Sequence, residues 1–123
     1  MALNLEQIKA LAPAVVAREV TIPEFNDSVW IGELTAWERE SRVEQPFKAR
    51  KEATGDETGL RAFLVAACLC KSAGREFLVV EREIPALAEA LLMWPLPIFD
   101  RLFKACEDAN GLGETAQQEL EKN

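Results

Sequence analysis

The stretch EREIPALAEALLMWPLPIFDRLFKACEDANGLGETAQQELEKN, residues 81–123, decides the fold, because two proline-opened helical patterns follow one another in it. Ile84, Leu87, Ala88, Leu91 and Leu92 recur at the spacing of one helical face, and Pro85 occupies a first turn, where its missing N–H costs no hydrogen bond. Pro95 and Pro97 forbid continuation, so this helix ends near Met93-Trp94. Pro97 opens a second helix with Ile98, Leu102, Ala105 and Ala109 as its stripe. Gly111 reads as the left-handed residue after that helix, Leu112 as the residue folding back onto it, and 114–123 as a polar tail. Two striped helices must bury their apolar faces against something. The nearest candidate is the apolar segment Leu60–Leu69.

That segment begins LRAFLVAACLCKSAGREFL, residues 60–78, and is nearly continuous apolar sequence to Cys70. Periodicity cannot choose helix or strand for it; Ala62, Ala66 and Ala67 favour helix. The competing reading is a hairpin of Phe63–Cys70 and Glu76–Val80 turning at Ser72-Ala73-Gly74. Near the N-terminus, LNLEQIKALAP offers Asn4 as cap for a short docking helix carrying Leu5, Ile8 and Leu11, stopped by Pro13. Ala14–Ile22 and Ser28–Leu34, separated by the turn formers of PEFND, read as a β-hairpin with Pro23 near its turn and Trp30 on its apolar face. From Thr35 the apolar residues thin out. Thr35 and Glu38 form a capping box, Pro46 breaks the helix they start, and residues 44–59 form a flexible charged loop. This loop is either a solvated arm or a partner-recognition segment that orders on assembly. The expected fold is mainly α, a small helical domain with a short N-terminal β-hairpin, with α+β as the alternative.

A chain of 123 residues fits one domain with a modest core. Acidic residues outnumber basic ones by 21 to 14, and a net charge of −7 repels phosphate backbones, which argues against nucleic acid as a partner. No stretch approaches the roughly 20 apolar residues that cross a bilayer, and Met1 to Ala12 lacks a signal-peptide pattern. The expectation is no membrane association and a cytosolic location.

No catalytic constellation emerges. Ser28, Ser41 and Ser72 have no histidine to activate them, and the carboxylate pairs Asp56-Glu57 and Glu107-Asp108 read as solvated surface. Gly111 and Gly113 lack the strand and the lysine of a phosphate loop. With Cys68, Cys70 and Cys106 as the only thiols and no histidine, the reading is buried structural cysteines, without disulfide, metal or cofactor. The surplus is apolar: Trp30, Trp37, Trp94, Phe99 and Phe103 are a heavy aromatic load for a thin chain. Candidate partner-binding residues are Trp94, Pro95, Leu96 and Ile98 at the helix break, together with Trp30.

The order of helices, break and NGLG cap over 81–123, with the apolar 60–78 stretch upstream, resembles the tail assembly chaperones of lambda-like long-tailed bacteriophages. The resemblance spans Leu60 to Asn123 and is strongest from Phe99 onward. It implies a non-enzymatic protein that binds and solubilises the tape-measure protein and helps recruit subunits of the major tail-tube protein through a longer frameshifted form. It further implies a homo-oligomer acting in the host bacterial cytoplasm and not retained in the mature virion. Lys122-Asn123 is a dipeptide that a slippery adenine run encodes, as such a frameshift requires. The alternative is a small acidic adaptor or regulatory module that binds one folded protein partner.

Overall fold

The computed structural model describes residues 2–11 and 14–112. Helix α1 (Leu5–Ala10) is followed by strands β1 (Ala17–Ile22) and β2 (Asp27–Gly32), then helices α2 (Ala36–Arg39), α3 (Gln45–Thr54) and α4 (Leu60–Cys68), the short strand β3 (Leu69–Cys70), and helices α5 (Ile84–Leu92) and α6 (Leu96–Ala109). The protein is mainly α, with a three-stranded antiparallel sheet in the order β1-β2-β3.

The hairpin forms where turn chemistry places it. Pro23–Phe25 make one 3-10 turn, and Asn26 takes the left-handed conformation (φ 53°) that its short amide tolerates. Val20 pairs with Val29 and Arg18 with Ile31, so Val20, Ile22, Val29 and Ile31 share the core face. Trp30 therefore projects from the opposite face, beside Cys70, which corrects its expected place on the apolar face. Gly32 has no room for a side chain: a Cβ there would lie 2.7 Å from Cys70 Sγ and 3.0 Å from Arg75 Cγ.

The charged segment expected as a loop over residues 44–59 is a loop only over 55–59 and is helical before that. Thr35 and Glu38 do form the capping box, with reciprocal bonds of 3.1 and 2.9 Å. Pro46 does not break the helix that follows. Residues Glu40–Glu44 widen into a π turn, closed by the Gln45 N–H on the Glu40 carbonyl, and helical backbone continues to Thr54. The extra residue in that turn gives the proline ring room that a regular helix denies it. Because α3 extends an existing helix it bears no nucleation cost, and Lys, Ala, Arg and Glu favour it. Phe47 anchors it edge-on to Phe63, with ring centroids 5.6 Å apart, and Gly55 (φ 74°) ends it.

Helix α4 is the centre of the molecule, buried throughout except for Leu60 and Arg61. Both readings of this segment hold over part of it. The alanine-rich portion is helical, and Leu69–Cys70 then turn extended, joined by Leu78 N–H to Leu69 O (2.9 Å) and Lys71 N–H to Glu76 O (2.7 Å) around the turn at Ser72–Arg75. Helices α5 and α6 both pack on α4, and they meet chiefly through it rather than as a self-contained hairpin. Ile84, Ala88 and Leu91 of α5 and Ile98, Leu102 and Ala109 of α6 are buried as the stripes require and Leu87 and Ala105 half-buried, whereas Leu92, expected on the α5 stripe, is 44% exposed. Gly111 (φ 68°) and Leu112 complete a Schellman closure: Gly111 N–H reaches Asp108 O and Leu112 N–H reaches Glu107 O (2.7 Å). Gly113 and the polar tail 114–123 lie outside the described residues.

Candidate functional site

The α5–α6 break builds an apolar cleft. Trp94 N–H closes α5 on the Leu91 carbonyl, Pro95 takes an extended conformation (φ −54°, ψ 138°), and its carbonyl receives the N–H groups of Ile98 and Phe99 as α6 starts. The two prolines fix this elbow without a flexible linker. A cleft of about 510 Å³ opens beside it, lined by Gly59, Leu60, Arg61, Leu92, Trp94, Leu96 and Phe99. Leu60, Leu92 and Leu96 of this lining are exposed, Leu96 to 66%. Trp94 is half-buried, its ring edge-on to Phe25 of the hairpin turn at 5.0 Å and 79°.

The hairpin turn is clamped to α6 beneath that aromatic pair. Both guanidinium nitrogens of Arg101 donate to the two carboxylate oxygens of Glu24 at 2.7 Å, a fork-on-fork geometry. The hydrogen bonds from Arg101 hold the Glu24 carboxyl down to about 2. The cleft thus has walls from α4, α5 and α6 and a strut from the sheet. It offers mainly apolar contact, with Arg61 and its partner Asp100, 3.7 Å away, as rim charges.

Of the sequence candidates, Trp94, Pro95 and Leu96 come together here. Ile98 does not: it is 4% exposed and belongs to the core, because the first turn of α6 directs it toward α4. Trp30 lies on the sheet, away from the residues lining the cleft, and is half-buried. Phe99 is buried and Phe103 half-buried, whereas Trp37 is the most exposed aromatic at 72%. Sequence reading missed Phe25, Leu60 and Leu92 as neighbours of Trp94: the docking of the hairpin on α6 brings Phe25, the packing of α4 brings Leu60, and Leu92 reads as part of the buried stripe of α5.

It also missed Arg42, in the polar stretch after the capping box, where apolar residues thin out. The π turn points Arg42 inward, where it is 4% exposed and donates to Ala67 O (3.2 and 3.3 Å) and Val79 O (3.0 Å), 3.8 Å above the Phe77 ring. Burial lowers its pKa from the usual arginine value. Arg75 covers the same ring and donates to Glu33 O (3.1 Å) and to Glu38 (2.7 Å). Burial pushes the Glu38 carboxyl up, but hydrogen bonds from Arg75 and the Thr35 N–H outweigh it and lower the net value. All three thiols are buried, and a hydrogen bond with Cys68 together with burial pushes the Cys106 thiol well above its ordinary value. Among the described residues, no group of three or more Cys, Asp or Glu is placed to hold a metal ion, and no helix is long and apolar enough to cross a membrane. The chain matches no protein-family model, no curated protein and no solved structure, so no relative supplies its function.

Proposed function

We propose that this protein is a non-enzymatic phage tail assembly chaperone that holds an apolar helical segment of the tape-measure protein in the Trp94 cleft. The observation that carries the reading is the rigid elbow with Leu92, Trp94 and Leu96 together lining an open apolar cleft. Such a groove suits an amphipathic client helix, whose i, i+3 and i+4 side chains enter while its polar face stays in water. The surplus of acidic residues, 21 against 14 basic, keeps the complex soluble. The resemblance over residues 60–123 supplies the client, a homo-oligomeric state, the recruitment of major tail-tube protein by a longer frameshifted form, and a site of action in the host bacterial cytoplasm rather than the mature virion. Co-expression with the tape-measure protein tests the reading: the client stays soluble and co-purifies with wild-type protein, and Leu96→Asp abolishes both effects. A client equally soluble with and without the protein refutes it.

The second reading is an acidic adaptor that binds one folded partner. Trp37 favours it, since an aromatic 72% exposed on α2 is the kind of anchor that dominates a small interface. A fixed one-to-one complex lost in Trp37→Ala, and retained in Leu96→Asp, identifies the adaptor.

A further inference from the structure

The Asn110-Gly111 peptide combines a reactive residue pair with a structural tie. Of the asparagines in the sequence, Asn110 alone is followed by glycine, whose lack of a side chain leaves its backbone nitrogen open to the preceding carboxamide. That carboxamide is committed on both sides. Its Oδ1 accepts the Leu34 N–H (2.7 Å), and its Nδ2 donates to the Cys106 carbonyl (2.9 Å) and to Cys68 Sγ (3.5 Å). One half-buried side chain therefore joins the segment after β2 to α4 and α6, while Gly111 beside it is exposed. The backbone keeps the pair apart. At ψ 9° the Gly111 nitrogen nearly eclipses the backbone nitrogen of Asn110 and stands clear of its Cβ. The Gly111 N–H is turned to the Asp108 carbonyl (3.4 Å), and the Leu112 N–H pins the next peptide to the Glu107 carbonyl (2.7 Å).

We propose that Asn110 is a site of hydrolytic deamidation gated by local opening of the Schellman closure. Once the closure opens, ψ of Asn110 is free to bring the Gly111 nitrogen onto Cγ. That nitrogen gives up its proton to solvent base and bonds to Cγ; the bond from Cγ to Nδ2 breaks, and ammonia leaves with the proton returned by solvent. Water then adds to either carbonyl of the resulting succinimide and opens the ring at one C–N bond. The products are aspartate at position 110 or its isomer, in which the main chain runs through the side-chain carboxyl. The balance is one water in and one ammonia out, with no oxidant or reductant. Neither product rebuilds the tie. A carboxylate has no N–H for the Cys106 carbonyl, and it adds a negative charge beside Glu107 and Asp108 at the negative end of the α6 dipole. The isomer also lengthens the main chain, which displaces Gly111 from its left-handed closure. A reversible opening thus becomes permanent, and the sheet loses its hold at this end of α6 while Glu24–Arg101 keeps the other. The proposal is independent of any client.

Incubation of the full chain at mildly alkaline pH, folded and in denaturing urea, with peptide mass mapping of Asn110, tests the gate. In denaturing urea Asn110 converts ahead of Asn4 and Asn26, whose following residues Leu5 and Asp27 shield the attacking nitrogen. The folded chain converts at least about tenfold more slowly, because reaction waits on a minor open state. Leu112→Ser removes the apolar contact that holds the closure against the core, so it speeds conversion in the folded protein and leaves the rate in urea unchanged. Circular dichroism checks that this variant folds. In wild type the folded rate stays flat at urea concentrations below the unfolding transition, since opening one helix end exposes little surface. Asn110→Asp, the product made directly, has a lower thermal midpoint than wild type. Equal rates in folded and unfolded chain, a folded Leu112→Ser that converts like wild type, a folded rate that climbs with urea in step with global unfolding, or an Asn110→Asp midpoint equal to wild type overturns the proposal.

Discussion

Removing the Arg42 guanidinium leaves the buried Ala67 carbonyl and the half-buried Val79 carbonyl without their donor. A buried acceptor so stranded costs about 1–3 kcal/mol, so Arg42→Met is expected to lower the denaturant midpoint by that order, with Arg42→Lys recovering only part of it because one ammonium cannot reproduce the planar fork. Equal midpoints for Met and wild type would show that the main-chain bonds carry no net stability. Glu24 makes a pH-dependent prediction. Its folded pKa of about 2 lies below the ordinary 4.5, so the stabilisation by the clamp is full above the unfolded value and is lost as pH falls from 4.5 toward 2. Carbon-detected NMR should place the Glu24 titration near 2 in wild type and near the ordinary value in Arg101→Gln; a wild-type midpoint already at the ordinary value refutes the clamp. Trp94→Ala is expected to weaken client binding by about 2 kcal/mol or more, because desolvated aromatic anchors dominate such interfaces. The same change should lower stability less than a core truncation, since the ring is only half-buried.

At the scale of elements, α5 and α6 both pack on α4 and meet chiefly through it, so truncating either stripe should destabilise the same centre. Leu91→Ala and Leu102→Ala are each expected to cost about 2–5 kcal/mol by urea titration, both side chains being almost completely enclosed. Unchanged midpoints for both would remove the central role assigned to α4. These two helices were legible because proline and glycine punctuate a strong 3.6-residue period between Ile84 and Gly111. The hairpin was legible from PEFND in the same way. Helix α3 was not, because its hold is a single ring, Phe47 on Phe63, together with Arg50 laid over that same ring (5.5 Å) and paired to Asp56 (2.6 Å). No apolar stripe announces such contacts. Nor does a π turn leave a mark in sequence; it reads as a proline in the wrong place. The cleft was half legible: Trp94, Pro95 and Leu96 adjoin in the chain, but Leu60 and Phe25 join them only through tertiary docking.

For the whole molecule, the sheet and the helical layer are tied at both ends of α6. Glu24–Arg101 and Phe25–Trp94 hold one end, and Asn110 holds the other by accepting the Leu34 N–H while donating to Cys106 O (2.9 Å). Gly32 sits near the second tie, where the sheet approaches Cys70 and Arg75 too closely for any side chain. Gly32→Ala is therefore expected to cost about 1–3 kcal/mol, the usual penalty of overpacking, read as a lower thermal midpoint. A midpoint equal to wild type would mean that the β2–β3 approach relaxes without cost.

The Schellman closure at Gly111 and Leu112 also fixes where the polypeptide departs. Because it lies at the Asn110 end of α6 and Trp94 at the other, residue 112 itself is anchored roughly 21 Å from the cleft, the length of that helix. A biotin, a fluorophore or a sensor surface coupled there leaves the mouth of the cleft unobstructed, so immobilised protein should capture a ligand at the same affinity as protein free in solution.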